Sequence, residues 1–117
     1  SPLEADWEMA RRSLGHILKN AVEVSPENSI VSIDLELADN SLVIRVVGQG
    51  DVFSPEQVER LSEPFGRLWD NTGAQKDLVR RYIVADRLIA QTGGRLEFKT
   101  TPNQGMTVSL VLADLAA

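Results

Sequence analysis

From Val31 to Leu37 the chain alternates strictly: Val31, Ile33, Leu35 and Leu37 are apolar, while Ser32, Asp34 and Glu36 between them are polar. A period of two sustained over that length is a half-buried strand with one solvated face. Leu42, Ile44 and Val46 repeat the pattern after the short turn Ala38-Asp39-Asn40, so the two runs read as a hairpin. A hairpin with one apolar face needs a layer to cover it. The preceding stretch supplies one: from Asp6 to Val24, the residues Trp7, Ala10, Leu14, Ile17, Leu18 and Ala21 fall on one stripe of a helix, which Ser25-Pro26 ends.

The remaining chain continues in the same style. Ser54-Pro55-Glu56 is a helix start, with Ser54 as N-cap, and the helix is expected to run to about Ser62. Glu63 to Lys76 reads as irregular. Asp77 to Gln91 reads as a third helix, with Leu78, Tyr82, Ala85 and Ile89 on its apolar stripe and Gly93-Gly94 after its end. Leu96 and Phe98 mark a strand, 102–105 a turn, and Met106, Val108, Leu110 and Leu112 a last strand. The order αββααββ predicts an α/β two-layer sandwich, with about three helices on one face of a mixed, mostly antiparallel sheet.

At 117 residues the chain is expected to be one domain. The net charge of -5 and pI of about 4.8 argue against nonspecific nucleic-acid binding, which needs a basic face, and no nucleic-acid partner is expected. The absence of cysteine removes disulfides and thiolate metal sites. No apolar run approaches the ~20 residues of a membrane span, so the domain is expected not to insert, and a cytoplasmic setting is the default. A chain that opens on Ser1 is expected to be a domain excised from a longer protein.

The chemistry-bearing residues concentrate on the first helix and the glycine turn. Ser13, His16 and Asn20 share a stripe beside the apolar face. The Asn20 oxygen suits Mg²⁺, which prefers hard oxygen donors, and Lys19 is placed to meet a phosphate. The alternative is that Asn20 bonds a neighbouring backbone group and His16 is half-exposed. His16 is a poor phosphoacceptor candidate, because Ile17 rather than an acid follows it. Val47-Gly48-Gln49-Gly50 ends a strand, and glycines there allow close backbone approach or a simple turn. Lys76, Arg80, Arg81 and Arg87 suggest an anion site, although Arg80 and Arg87 lie on the polar face. Arg81 falls near the apolar stripe, where it snorkels, pairs with an acid or fills space.

In this order, the segments resemble the ATP-binding catalytic domain of two-component sensor histidine kinases, in the wider family of gyrase B, Hsp90 and MutL (the Bergerat fold). ADWEMARRSLGHILKNAVEVSP looks like the family's N box, EPFGR (63–67) like its F box, TGGRLEF (92–98) like the segment after the last helix, and QGMTVSLVL (104–112) like its final strand. The resemblance implies ATP and Mg²⁺ as ligands. Asn20 falls at the magnesium-binding asparagine, His16 where many members carry a second asparagine, and Thr107 near an adenine-contacting threonine. Lys19, Gly48 and Gly50 complete the nucleotide-side candidates.

The departures fall in the two glycine boxes. Where the family carries D-x-G-x-G, this chain has Gly48-Gln49-Gly50-Asp51-Val52, so Gly48 replaces the adenine-reading aspartate and Val52 a glycine. Where the family carries G-x-G-L, it has Val79-Arg80-Arg81-Tyr82, which places bulk at the phosphates. Losing a buried hydrogen bond to the base costs about 1–3 kcal/mol, or roughly ten- to a hundredfold in affinity. The expected function is therefore a kinase catalytic domain with a degenerate pocket, a pseudokinase with weak or absent ATP binding and a regulatory role in a phosphorelay. The alternative is an active Mg-ATP-binding domain that phosphorylates a histidine on a separate dimerisation domain, and a third reading is a remodelled anion site at Arg80 and Arg81. The implied partners are a helical dimerisation/phosphoacceptor domain and a response-regulator receiver, with Phe65, Leu68 and Trp69 as a docking surface if exposed, or lid core if not.

Overall fold

The structure is a computed structural model that describes residues 2–50, 53–63, 74–101 and 105–112. Its elements are α1 (Pro2–Val24), β1 (Ser32–Ala38), β2 (Ser41–Val47), α2 (Pro55–Ser62), α3 (Ala74–Ala90), β3 (Arg95–Thr101) and β4 (Gly105–Leu112). The strand order is β1-β2-β4-β3, and every described pairing is antiparallel. Two hairpins are thus zipped together through β2 and β4. The helix-rich connection between them carries the chain past β4 to the far edge.

Local chemistry explains each boundary. Asp39 and Asn40 take positive φ (50° and 66°), and they close the first hairpin with the two-residue turn that suits the strands' right-handed twist. Ser54 accepts from Gln57 N, and Gln57 Oε1 accepts from Ser54 N, which completes a capping box with Pro55 in the first turn of α2. The helix α3 starts at Ala74, three residues before the expected Asp77, so part of the stretch read as irregular is helical. The first helix likewise starts at Pro2 rather than Asp6.

Rows of apolar side chains cross the sheet on its helix-facing side. Ile44, Leu110 and Leu96 form one row, and Val46, Val108 and Phe98 the next. Against them lie Ile17 and Ala21 of α1 and Leu78, Tyr82, Ala85 and Ile89 of α3, all buried. Two side chains lock the helices together. Ser13 Oγ donates to Ala85 O at 2.8 Å, and Asn20 Nδ2 donates to Leu78 O at 2.8 Å. The residues rise along α1 as they fall along α3, so the two helices are antiparallel.

Two expectations fail. Trp7 was expected in the core stripe and is 45% exposed. Ser13 lies opposite Ala85, so Trp7, six residues earlier, falls opposite about residue 91, beyond the end of α3. The first strand was expected to be half-buried, yet all of β1 is exposed. Ile33 and Leu35 pair with the buried Val46 and Ile44 and share their face, but the helices lie over β2, β4 and β3 and stop short of the β1 edge. The alternation marked the right face, and the width of the helix layer decided its exposure. On the opposite face Arg45 bridges Asp34 and Glu36.

Candidate functional site

Between the helix layer and one end of the sheet lies a cavity of about 20 Å³, space for roughly one water. Ile17, Ala21 and Val24 of α1 form one wall. Val46, Gly48 and Gly50 form the second, Phe53 and Tyr82 the third, and Met106 and Val108 of β4 the floor. Chemically it is an apolar slot with backbone polar groups at its rim.

The glycines are what bring the walls together. A Cβ on Gly50 would stand 2.1 Å from Val24 O, so the turn after β2 presses directly on the end of α1. A Cβ on Gly105 would stand 2.2 Å from Gly48 O, and Gly105 has φ of +79°, so two requirements select glycine there. Gly48 N donates to Met106 O at 3.2 Å, which extends the sheet into the glycine turn. Gly48 differs from the other two. Its Cβ would meet Ser25 Oγ at 3.5 Å and the Ala21 Cβ at 3.6 Å, which are ordinary contacts, and its φ is not positive. Packing therefore admits a side chain at Gly48.

Tyr82 is a buried ring of the third wall. It is 3% exposed, its ring packs edge-on against Phe98 with centroids 5.1 Å apart, and it lies 6.3 Å from the Phe53 ring. Burial pushes the Tyr82 hydroxyl up to about 12, and its hydrogen bond with the Asn20 side chain partly offsets that rise.

Asn20 is fully buried and fully engaged. Its Nδ2 donates to Leu78 O, and its Oδ1 accepts from Arg81 Nη1 at 3.1 Å. The same Arg81 nitrogen donates to Glu23 Oε2 at 2.6 Å. That hydrogen bond is the main cause that holds the Glu23 carboxyl below the usual carboxylate range. Of the roles weighed for Arg81 from sequence, pairing with an acid is the one observed. A divalent cation at Asn20 Oδ1 would meet the like charge of the Arg81 guanidinium, 3.1 Å from the same oxygen. The residues as arranged therefore do not fit Mg²⁺. Among the described residues, no cluster of three acidic or histidine side chains could hold a metal either.

The other predicted residues divide as follows. Val79 is buried. Lys19 is exposed and lines an open depression on the outer side of α1 with Gly15, Leu18, Val22 and Glu23, away from the cavity. His16 is half-buried and is not part of the cavity wall. Thr107 alternates with the cavity-lining Met106 and Val108, so its side chain points to the opposite face of the sheet. Val52, Phe65, Leu68 and Trp69 lie outside the described residues.

Sequence reasoning missed three participants. Glu23 and Phe53 are not singled out by the sequence, and Ser25 reads only as a helix stop. Ser25 Oγ donates to Ala21 O at 2.7 Å and stands beside Gly48. The proximity of Glu23 to Asn20, three residues apart on one helix, was the available signal for the first.

A helix carrying a buried asparagine, a glycine turn after an inner strand and a second helix closing the slot meet at this cavity of a two-layer α/β sandwich. A family model described as histidine kinase-, DNA gyrase B-, and HSP90-like ATPase matches residues 5–116. The chain belongs to that family. It is 30% identical over 111 residues to the sensor protein KdpD of Rathayibacter rathayi, a match covering 95% of this chain and 13% of KdpD. It is 32% identical over 94 residues to the sensor protein PfeS of Pseudomonas aeruginosa, covering 80% of this chain and 21% of PfeS. The chain thus spans a small part of the curated relatives it matches. Among solved structures, the mycobacterial sensor histidine kinase MprB superposes with a TM-score of 0.66 at 20% identity, over 86% of this chain and 67% of that one. That likeness shows the fold, a histidine-kinase-type ATPase sandwich. No helix among the described residues is long and apolar enough to cross a membrane.

Proposed function

We propose that this chain is the catalytic, ATP-binding-like domain of a two-component sensor histidine kinase whose nucleotide pocket has been altered, so that it binds ATP weakly or not at all and acts by regulating a phosphorelay. The observation that carries this reading is the state of Asn20, whose amide is consumed by Leu78 and Arg81 rather than left open to a ligand. Gly48 and Tyr82 support it. Gly48 offers no carboxylate to a base, and the buried Tyr82 ring walls the adjoining slot.

In this reading the domain is one unit of a longer, cytoplasmic kinase chain. Its partners are the helical dimerisation/phosphoacceptor domain and a response-regulator receiver. Phe65, Leu68 and Trp69 are the proposed docking side chains.

The test is calorimetric titration of the folded chain with Mg·ATP and Mg·ADP into the millimolar range, beside Asn20→Ala checked for folding by circular dichroism. The expected result is no heat, or a millimolar Kd, in both proteins. Micromolar binding that disappears in Asn20→Ala would overturn the reading and make the pocket an ordinary catalytic one.

A further inference from the structure

The cation expected at Asn20 and the cation found there are different, and the difference has a chemical consequence. Arg81 Nη1 lies 3.1 Å from the buried Asn20 Oδ1, so the positive charge at that oxygen is a guanidinium carried on the protein's own helix. Its counter-ion is also internal: Glu23 Oε2, 2.6 Å from the same nitrogen. A guanidinium has five N–H donors in a planar fork. Both hydrogen bonds that Arg81 makes to described side chains use Nη1, so the second edge of the fork is uncommitted among the described residues. The Arg81 side chain is 20% exposed and that of Glu23 is 50% exposed, so solvent reaches the pair. A carboxylate and a phosphate oxygen present the same geometry to that fork.

We propose that Arg81 replaces the divalent cation at this site, so that a di- or triphosphate anion binds without metal and in competition with the Glu23 carboxylate. The inference rests on the altered-pocket reading above and specifies what remains of the site. A metal-complexed phosphate brings its own positive charge against Arg81, whereas the uncomplexed anion brings only complementary charge. The free anion is therefore bound at least as well as its magnesium complex. Glu23 acts as an internal competitor, held on the guanidinium that the anion needs.

The test uses the whole chain, with inorganic pyrophosphate and ADP as probes, titrated calorimetrically in EDTA and in excess Mg²⁺. Pyrophosphate has no base, so it reads the Arg81 site independently of the apolar slot. The expected Kd for pyrophosphate is at least as low in EDTA as in Mg²⁺. Glu23→Gln is expected to tighten it roughly two- to fivefold, the range an exposed ion pair allows. Arg81→Ala is expected to lose binding in EDTA, and Arg81→Lys to keep part of it. Pyrophosphate binding that requires Mg²⁺, binding in Arg81→Ala equal to wild type, or no binding by either wild type or Glu23→Gln would overturn the inference. Absent binding, or binding unchanged in Arg81→Ala, overturns this inference alone, whereas micromolar binding of Mg·ATP overturns the altered-pocket reading.

Discussion

Arg81 places its Nη1 3.1 Å from Asn20 Oδ1, a guanidinium set against a buried amide oxygen across the interface of α1 and α3. The contact does two things at once. It satisfies a polar group that burial would otherwise leave costly, and it sets a positive charge at the oxygen a bound cation would use. Stability and ligand binding therefore draw on the same amide, and substitutions at Asn20 move both.

The two helix-to-helix hydrogen bonds differ in what depends on them. Among the described residues Ser13 serves Ala85 O alone, whereas Asn20 serves Leu78 O, Arg81 and Tyr82. Urea unfolding is expected to show Ser13→Ala losing about 1 kcal/mol and Asn20→Ala about 2–3 kcal/mol, since the latter strands more than one buried partner. Equal losses would mean that the Asn20 network adds nothing beyond its bond to Leu78.

Tyr82 ties stability to alkaline pH. Burial pushes its hydroxyl up to about 12, above the usual phenol value of about 10. A group raised on folding contributes its full share below pH ~10 and loses it as pH climbs through the folded value. Stability is thus expected to fall between pH 10 and 12, by roughly 2–3 kcal/mol at most. Tyr82→Phe, measured by denaturant midpoints across that range, is expected to remove this phenolic contribution. A slope in Tyr82→Phe as steep as in wild type would show that other groups cause the fall.

The glycines predict an order rather than a single value. Gly93 has φ of +81° and open space around it, so alanine there costs only backbone strain, about 1 kcal/mol. Gly105 has φ of +79° and a carbonyl 2.2 Å from where its Cβ would stand. Gly105→Ala is therefore expected to destabilise clearly more than Gly93→Ala, and Gly50→Ala to do so as well, because of Val24 O. Thermal unfolding of the three variants checks the order.

How much of this was readable beforehand follows from what each element depends on. Local rules fixed the turn at Asp39-Asn40, the Ser54 cap and the alternation of β2 and β4, because turn and cap chemistry acts within a few residues. The exposure of β1 and Trp7 was not readable. Each depends on where a distant helix ends, and periodicity carries no information about that. At the site, the sequence singled out Asn20, Gly48, Gly50, Arg81 and Tyr82. Gly48, Gly50 and Tyr82 line the cavity, while Asn20 and Arg81 bond beside it. The role of Glu23 depends on a contact 58 residues away in sequence, which only the packing of α1 on α3 creates.

The edge strand offers a control on the fold account. Leu37 is 76% exposed and Leu110 is fully buried in the adjoining core. Leu37→Lys is expected to leave stability within about 0.5 kcal/mol, and Leu110→Ala to cost about 2–5 kcal/mol. A large loss at Leu37, read by urea unfolding, would place a covering layer over β1 that the described residues do not provide.

The most direct measurement is the Kd for Mg·ATP of the wild-type chain against Gly48→Asp/Arg81→Gly, with folding verified by thermal unfolding. The double variant returns a carboxylate to a position whose Cβ fits and frees the Asn20 oxygen from its guanidinium. If side chains rather than the fold restrict nucleotide binding, the wild type binds at millimolar concentration or not at all, and the variant at least a hundredfold more tightly. Micromolar binding by the wild type, or a folded variant no better than it, would contradict the account.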